Sequence, residues 1–278
     1  MCLTVKAALD QGTLLLEKGS VAAPKLTAEV LLCHALGREK PYLYAHPEEP
    51  LTELAWIHFG RYLHQRLNGK PTQYITRTQE FYGRPFAVNP DVLIPRPETE
   101  HVVEVALERA RESKRALDIG CGSGAIGVTW QLETDSETWA SDISADALAV
   151  ARRNALALGA KIGLVNCDLG SAFGTACFDL VLSNPPYIPD SESSVLQREV
   201  RDFEPPVALF GGPTGVEIYQ RLISDASRVL RPGGWLVIEI GYRAQDCILA
   251  LLAHNWSEQG VTHDLAGWPR VISAQCIG

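Results

Sequence analysis

Apolar and polar positions along the chain follow two regimes. Over residues 1–67 the apolar side chains recur at helical spacing, without two-residue alternation. AEVLLCHALG, 28–37, reads as an apolar helix ended by Gly37. LTELAWIHFGRYLHQRLNG, 51–69, sets Trp56, Phe59, Leu63 and Leu67 at helical spacings before Asn68-Gly69 stops it. These patterns predict a small N-terminal helical domain, 1–67, whose task is to present a surface. Residues 68–97 change character: Tyr74, Ile75, Phe81, Tyr82, Phe86 and Val88 are interleaved with Gly and Pro, predicting a β-hairpin linker. In 98–278, strand-length apolar runs alternate with helical stretches, the pattern of a doubly wound α/β sheet. Strands are expected at ALDIG, TWASD, GLVNCD, DLVLSN and WLVIEI, with helices near 124–132, 144–158, 191–201 and 214–230. Thr214 and Glu217 form a capping box for the last helix, which Arg231-Pro232-Gly233-Gly234 closes. The tail from Gly260 adds two strands around a turn. Seven strands with a final hairpin differ from the six of the usual dinucleotide fold.

Composition narrows the class. The 278 residues are 46% hydrophobic and 21% charged, an ordinary balance that suggests neither disorder nor a membrane protein. Runs such as WLVIEI are too short to span a bilayer, and MCLTVKAALDQG lacks the apolar core of a targeting segment, so a cytoplasmic chain is expected. The seven cysteines are scattered without a CxxC pair and read as reduced thiols. His58 and His64 do not share a helical face and have no carboxylate cluster beside them, so no metal site is expected. The net charge of −8 disfavours non-specific nucleic-acid binding and suits a pocket for a cation or a partner with a basic surface. A monomer is the default expectation.

The first strand runs into Asp118-Ile119-Gly120-Cys121-Gly122-Ser123-Gly124, where glycines let the chain turn sharply and approach a ligand. Gly122 to Gly127 also fits GxGxxG, and Asp142 lies twenty residues beyond Gly122, as in a nicotinamide enzyme. Three features favour S-adenosylmethionine instead. Asp118 precedes the first glycine and suits an ammonium group; no Lys or Arg in the loop answers a phosphate; and SNPPYI ends the fourth strand. Asp142, closing WASD, is expected within reach of the ribose hydroxyls, with Ser144 available to cap the following helix instead. Asp168 occupies the corresponding edge of the third strand and could accept from the adenine amino group or cap a turn.

SNPPYI, 183–188, is a rigid corner, because Pro185 and Pro186 supply no N–H and hold φ near one value. Asn184 stands at the strand edge beside the cofactor crevice. Its side-chain carbonyl and the backbone carbonyl of Pro185 could each accept one hydrogen of an –NH₂ group, and Tyr187 offers a flat face for a planar acceptor. Fixed acceptors stabilise the positive charge that develops on a conjugated nitrogen during methyl transfer. The exocyclic amine of a nucleobase and the side-chain amide of glutamine or asparagine both satisfy this chemistry.

The chain resembles the HemK/PrmC family, the protein-(glutamine-N5) methyltransferases of peptide-chain release factors. The resemblance covers essentially the whole chain and rests on PTQYI (71–75), EFYGRPFAV (80–88), VLIPRPETE (92–100), DIGCGSGAIG (118–127), SNPPYI, RDFEPPVAL (201–209) and DLAGWPRV (264–271). It implies a class I methyltransferase sheet of Rossmann-like build, S-adenosylmethionine as donor, and the glutamine of a Gly-Gly-Gln loop in class 1 release factors as acceptor. Carried over, Asn184 and Pro185 would bind the glutamine amide, with Pro186 and Tyr187 completing its pocket. Gly120, Cys121, Gly122, Ser123, Gly124 and Asp142 would hold the cofactor, with Asp168, Leu169 and Asn184 beside it. Arg96–Glu100 would flank the site, Thr99 contributing to it, and the helical domain would touch the release factor away from the catalytic loop. Some relatives carry an aromatic residue where Leu169 stands, which here leaves an apolar surface for adenine and no ring to stack. Two other readings are a nucleic-acid amino-methyltransferase and a cofactor-binding module without catalysis. The acidic balance and small helical domain weigh against the first, the intact Asn184–Tyr187 corner against the second.

Overall fold

The computed structural model describes residues 4–278; residues 1–3, which open the first expected domain, lie outside the described residues. The chain forms two compact units, one of residues up to Thr78 together with Gln197–Phe203, the other of Gln79–Leu196 and Glu204–Gly278.

The first unit is helical: α1 (Val5–Lys18), α2 (Pro24–Leu36), α3 (Lys40–Ala45), α4 (Glu53–Leu67) and the short α5 (Thr72–Thr76). Thr4 and Thr52 cap α1 and α4 by accepting from Ala7 N and Ala55 N. Gly37 ends α2 at φ +63°, its N–H donating to Cys33 O. Phe59 and Leu63 of α4 are buried against Val5, Leu16, Leu31 and Leu32, while Trp56 and Leu67 cover the edge of that core. Tyr74 and Ile75, expected in the hairpin from their β propensity, lie in α5 instead. Pro71 opens the turn and Ile75 joins the helical core, so burial overrides local preference. The helix expected over 191–201 is also replaced. Asp190–Val195 forms a 3₁₀ stretch with no buried residue, and α9 (Arg198–Phe203) counts with the first unit, where Glu199 pairs with Arg66 at 2.5 Å.

The second unit opens with the hairpin β1 (Thr78–Phe81) and β2 (Arg84–Ala87), of which Thr78 belongs to the first unit. Next comes α6 (Glu100–Ala110), a helix the apolar pattern did not single out. A seven-stranded sheet then takes β3 (Arg115–Ile119), β4 (Glu137–Asp142), β5 (Ile162–Asn166), β6 (Phe178–Ser183), β9 (Leu230–Glu239), β10 (Trp256–His263) and β11 (Pro269–Cys276). Between them lie α7 (Ala125–Thr134), α8 (Ala145–Leu158), the small parallel pair β7 (Ile188–Pro189) and β8 (Phe210–Gly212), α10 (Glu217–Val229) and α11 (Gln245–Leu251). The order across the sheet is β5-β4-β3-β6-β9-β11-β10, parallel except for the last two pairings.

Both faces of the sheet are covered, which explains the unbroken apolar runs. Leu117, Val181, Leu236 and Ile238 pack with α10, whereas Ala116, Leu180, Leu182 and Val237 point the other way with α6 and α7. Two local expectations are revised. The Thr214–Glu217 box is half made: Glu217 accepts from Thr214 N at 3.1 Å, but the threonine hydroxyl donates to that same carboxylate rather than capping. Arg231–Gly234 lies within β9, where Phe178 pairs with Leu230 and a register shift absorbs the extra residues. No helix among the described residues is long and apolar enough to cross a membrane.

The strand order turns back at β3 and β6. Their carboxyl ends are adjacent, Ile119 opposite Ser183, with Ser183 Oγ donating to Ile119 O at 2.7 Å. In an open α/β sheet that switch point is where a ligand crevice forms.

Candidate active site

The loop after β3 is held by backbone bonds. Gly120 N and Cys121 N both donate to Ser141 O, at 2.8 and 3.0 Å, fixing the loop to the end of β4. Gly120, Gly122 and Gly124 all have positive φ, and a Cβ built on Gly120 or Gly122 meets nothing within 4 Å. The loop thus presents bare backbone to an open cleft. From α8, Asn154 donates to Ser123 O at 2.8 Å and exchanges bonds with Ala87 N and O, which ties loop to hairpin.

Gly120, Cys121, Gly122, Ser123, Asp142, Asp168, Leu169, Asn184 and Pro186 line this cleft together with Leu93, Pro95, Thr99, Ile143, Val207, Ala208 and Arg221. Gly124, Pro185 and Tyr187 do not line it. Gly124 caps α7, and a side chain there would press on Ala151 at 3.1 Å. Pro185 is buried. The Tyr187 ring packs on Gly241 and the sheet core, and burial pushes its phenol pKa up.

Asp142 ends β4 with Oδ2 accepting from Gly122 N at 2.8 Å and Oδ1 from Ser144 N at 2.9 Å. Ser144 caps α8 through Ala147 N, so the capping alternative belongs to Ser144. Each Asp142 oxygen keeps a lone pair for the cleft, and burial raises its pKa despite those N–H bonds. Asp168 pairs with Arg221 at the half-exposed rim.

Asp118 is placed differently from the expectation that it meets an ammonium group directly. It is fully buried beneath the loop and does not line the cleft. Oδ2 accepts from Gly127 N at 2.8 Å, serving an N–H in the first turn of α7, and Oδ1 has no partner among the described residues. Burial, with a smaller push from Asp142, raises its pKa to about 7.

The corner after β6 rests on side chains from distant parts of the chain. Asn184 Nδ2 donates to Thr99 Oγ1 at 3.1 Å, and Thr99 Oγ1 donates to Glu239 Oε2 at 2.5 Å. Glu204 fixes the segment carrying Thr99, accepting from Ile94 N at 3.2 Å and from Arg96 at 2.5 Å. This gives RDFEPPVAL a physical task, since Val207 and Ala208 also form cleft wall. Behind the corner, a Cβ on Gly211 would fall 2.6 Å from Pro186 O and one on Gly215 2.4 Å from Tyr187 O. Glu239 and Arg221 were not foreseen. A lone glutamate in the apolar run WLVIEI was the available signal for the first; nothing local marks the second. Among the described residues no group of three or more His, Cys, Asp or Glu could hold a metal ion.

A seven-stranded doubly wound sheet with a glycine loop and an Asn-Pro-Pro-Tyr corner at its switch point defines a class I methyltransferase. The fold agrees with solved structures of a methyltransferase from Pyrococcus furiosus (TM-score 0.54, 16% identity, 78% of this chain and 98% of that one) and of the hMettl16 catalytic domain (TM-score 0.57, 15% identity, 77% and 81%). Residues 7–76 match the family described as PrmC N-terminal domain, and 99–202 match the methyltransferase small domain. The chain is 42% identical over 274 residues to the release factor glutamine methyltransferase of Koribacter versatilis, covering 97% of this chain and 98% of that protein. The protein of the same name from Bacillus subtilis is 40% identical over 258 residues, 89% of this chain and 90% of its own length. The chain belongs to the release factor glutamine methyltransferase family.

Proposed function

We propose that this protein methylates the side-chain amide nitrogen of a glutamine, that of the Gly-Gly-Gln loop of a class 1 release factor, with S-adenosylmethionine as donor, in the cytoplasm. The observation that carries the chemistry is the Asn184–Thr99 bond, which engages the amide through its nitrogen and leaves Oδ1 as the acceptor end of a residue that lines the cleft. The full-length relatives support the acceptor class.

The cleft fits the donor. Open space over Gly120 and Gly122 admits a ligand against backbone, and Asp142 offers acceptors for a diol. Leu169 and Ile143 give an apolar wall for a purine, with the Asp168 carboxylate at its edge. When bound, S-adenosylmethionine supplies an electrophilic methyl group. Asn184 Oδ1 accepts one amide hydrogen of glutamine and turns its nitrogen toward that methyl. As the nitrogen becomes positive, Asn184 Oδ1 stabilises it without reorganising, because Thr99 fixes the amide. The proton becomes acidic only as the new bond forms and is then released to solvent, so a strong general base is not required. Domain roles follow the same reading, with 1–67 recognising the substrate protein, 68–97 joining, and 98–278 catalysing.

The test is label transfer from S-adenosylmethionine to a purified class 1 release factor, with its Gly-Gly-Gln glutamine changed to alanine as control and duplex DNA as rival acceptor. Label on the unaltered factor alone is expected. Label on DNA would overturn the proposal.

A further inference from the structure

Glu239 is the one charged side chain inside the apolar stretch that ends β9, and it is 2% exposed. Its carboxylate is held at both oxygens, by the Thr99 hydroxyl at 2.5 Å and the Tyr187 hydroxyl at 3.3 Å, while Tyr219 donates to its backbone carbonyl at 3.0 Å. Thr99 is 4% exposed and has a single proton to donate. With that proton committed to Glu239, only lone pairs face Asn184. The amide must then present NH₂ to Thr99 and turn Oδ1 away from it.

We infer that Glu239 is a positioning residue, which acts through the Thr99 hydroxyl to fix the direction of the Asn184 amide and so keeps Oδ1 facing the acceptor nitrogen. The inference rests on the proposed role of Asn184 as an amide acceptor. A neutral group that donates from position 239 reverses the relay. Thr99 would accept from it and donate to Asn184 Oδ1, the amide would turn over, and its NH₂ would meet the NH₂ of the substrate, donor against donor. Protonation of Glu239 on Oε2, the oxygen that faces Thr99, has the same consequence. Burial raises its pKa to about 7, Thr99, Arg270 of β11 and Tyr187 pull it down, and Glu98 pushes it up. Turnover should therefore fall as pH drops through about 7.

The experiment uses the full chain, a class 1 release factor and labelled S-adenosylmethionine, with E239Q, T99V and T99S. At pH 8, E239Q and T99V should lose roughly 10²-fold in kcat, with the KM for S-adenosylmethionine changed less than about 2-fold. T99S should recover most of what T99V loses, and the acid limb of the wild-type kcat should be absent in E239Q. Independently of turnover, the side-chain NH₂ resonances of Asn184, assigned by their loss in N184A, should shift in both variants without substrate. If E239Q does not fold, the near-isosteric T99V carries the test. Wild-type kcat in the folded variants, or lost kcat with unmoved Asn184 resonances, would overturn the relay. Failure of the wild type to label glutamine would instead refute the proposed function, because the resonance shifts are read without acceptor.

Discussion

The two walls of the cleft are built by opposite means. The glycine loop is backbone, three positive-φ glycines in a turn pinned through Gly120 N and Cys121 N to Ser141 O and through Gly122 N to Asp142, with Asn154 of α8 holding Ser123 O. The Asn184 corner is a side-chain assembly whose members are separated by 85 residues (Asn184 to Thr99) and 140 residues (Thr99 to Glu239). The loop offers open backbone at Gly120 and Gly122. The corner has a defined polarity, because a chain of single protons decides which end of an amide faces the cleft. Under the proposed function, cofactor holding falls to the loop and acceptor choice to the corner, and variants should separate the two in solution.

The largest effect is expected for Asn184→Ala. Removing the preorganised acceptor should lower kcat about 10²–10³-fold, while the Kd for S-adenosylmethionine, measured by calorimetry, moves less than about 3-fold. Equal losses in both would mean that corner and loop are one site rather than two. Next come paired glycine substitutions. In Gly215→Ala the new Cβ meets Tyr187 O at 2.4 Å and strains a φ of +79°, so the corner must shift. In Gly122→Ala the Cβ projects into the open cleft from a residue at φ +53°. Left-handed strain of about 1–2 kcal/mol accompanies each change. The first should cost kcat roughly 10-fold and the second cofactor affinity roughly 10-fold, as read from saturation kinetics and direct binding.

Legibility in the sequence follows the same divide. Strands β3, β4, β5 and β6 were expected within two residues of their observed ends; the central β3 and β6 are buried and print as apolar runs, while β4 and the half-buried edge strand β5 are shorter on apolar residues. The glycine loop, Asp142 and Asn184 could be placed because each sits at the end of such a strand. What was missed depends on tertiary contact. Tyr74 and Ile75 have β propensity but lie in a helix; Asp118 serves α7 from beneath the loop; Thr99 came only through family resemblance and Glu239 not at all. Spacing along a chain does not record a hydrogen bond across a sheet.

A subtler contrast lies in pH. Asp118 under the loop carries a carboxyl raised from 3.8 to about 7 by burial. The native state therefore keeps a proton that the unfolded state releases, and its contribution is full below about pH 4 and lost as pH rises through about 7. Asp118→Asn keeps an oxygen for Gly127 N–H and cannot ionise. Its stability relative to wild type, by urea unfolding without cofactor, should improve from pH 5 to about pH 7 and level off above that. A constant difference would mean that Asp118 titrates normally and that the loop is not mounted on a buried acid.

The smallest effect tests the rim, where Asp168 and Arg221 pair with about half of each side chain exposed. Such a pair contributes about 0–1 kcal/mol to stability and weakens with salt, so Arg221→Met should barely move the unfolding midpoint. Its value lies in cofactor binding. If Asp168 accepts from the adenine amino group, removing Arg221 leaves that acceptor in place and the Kd for S-adenosylmethionine should change less than about 2-fold. Asp168→Ala should then weaken it about 5-fold, the worth of one hydrogen bond. Equal changes in the two variants would assign Asp168 to the ion pair alone and leave adenine held by the apolar surface of Leu169 and Ile143. Binding titrations at low and high salt decide between these outcomes, since only the ion-pair contribution is screened.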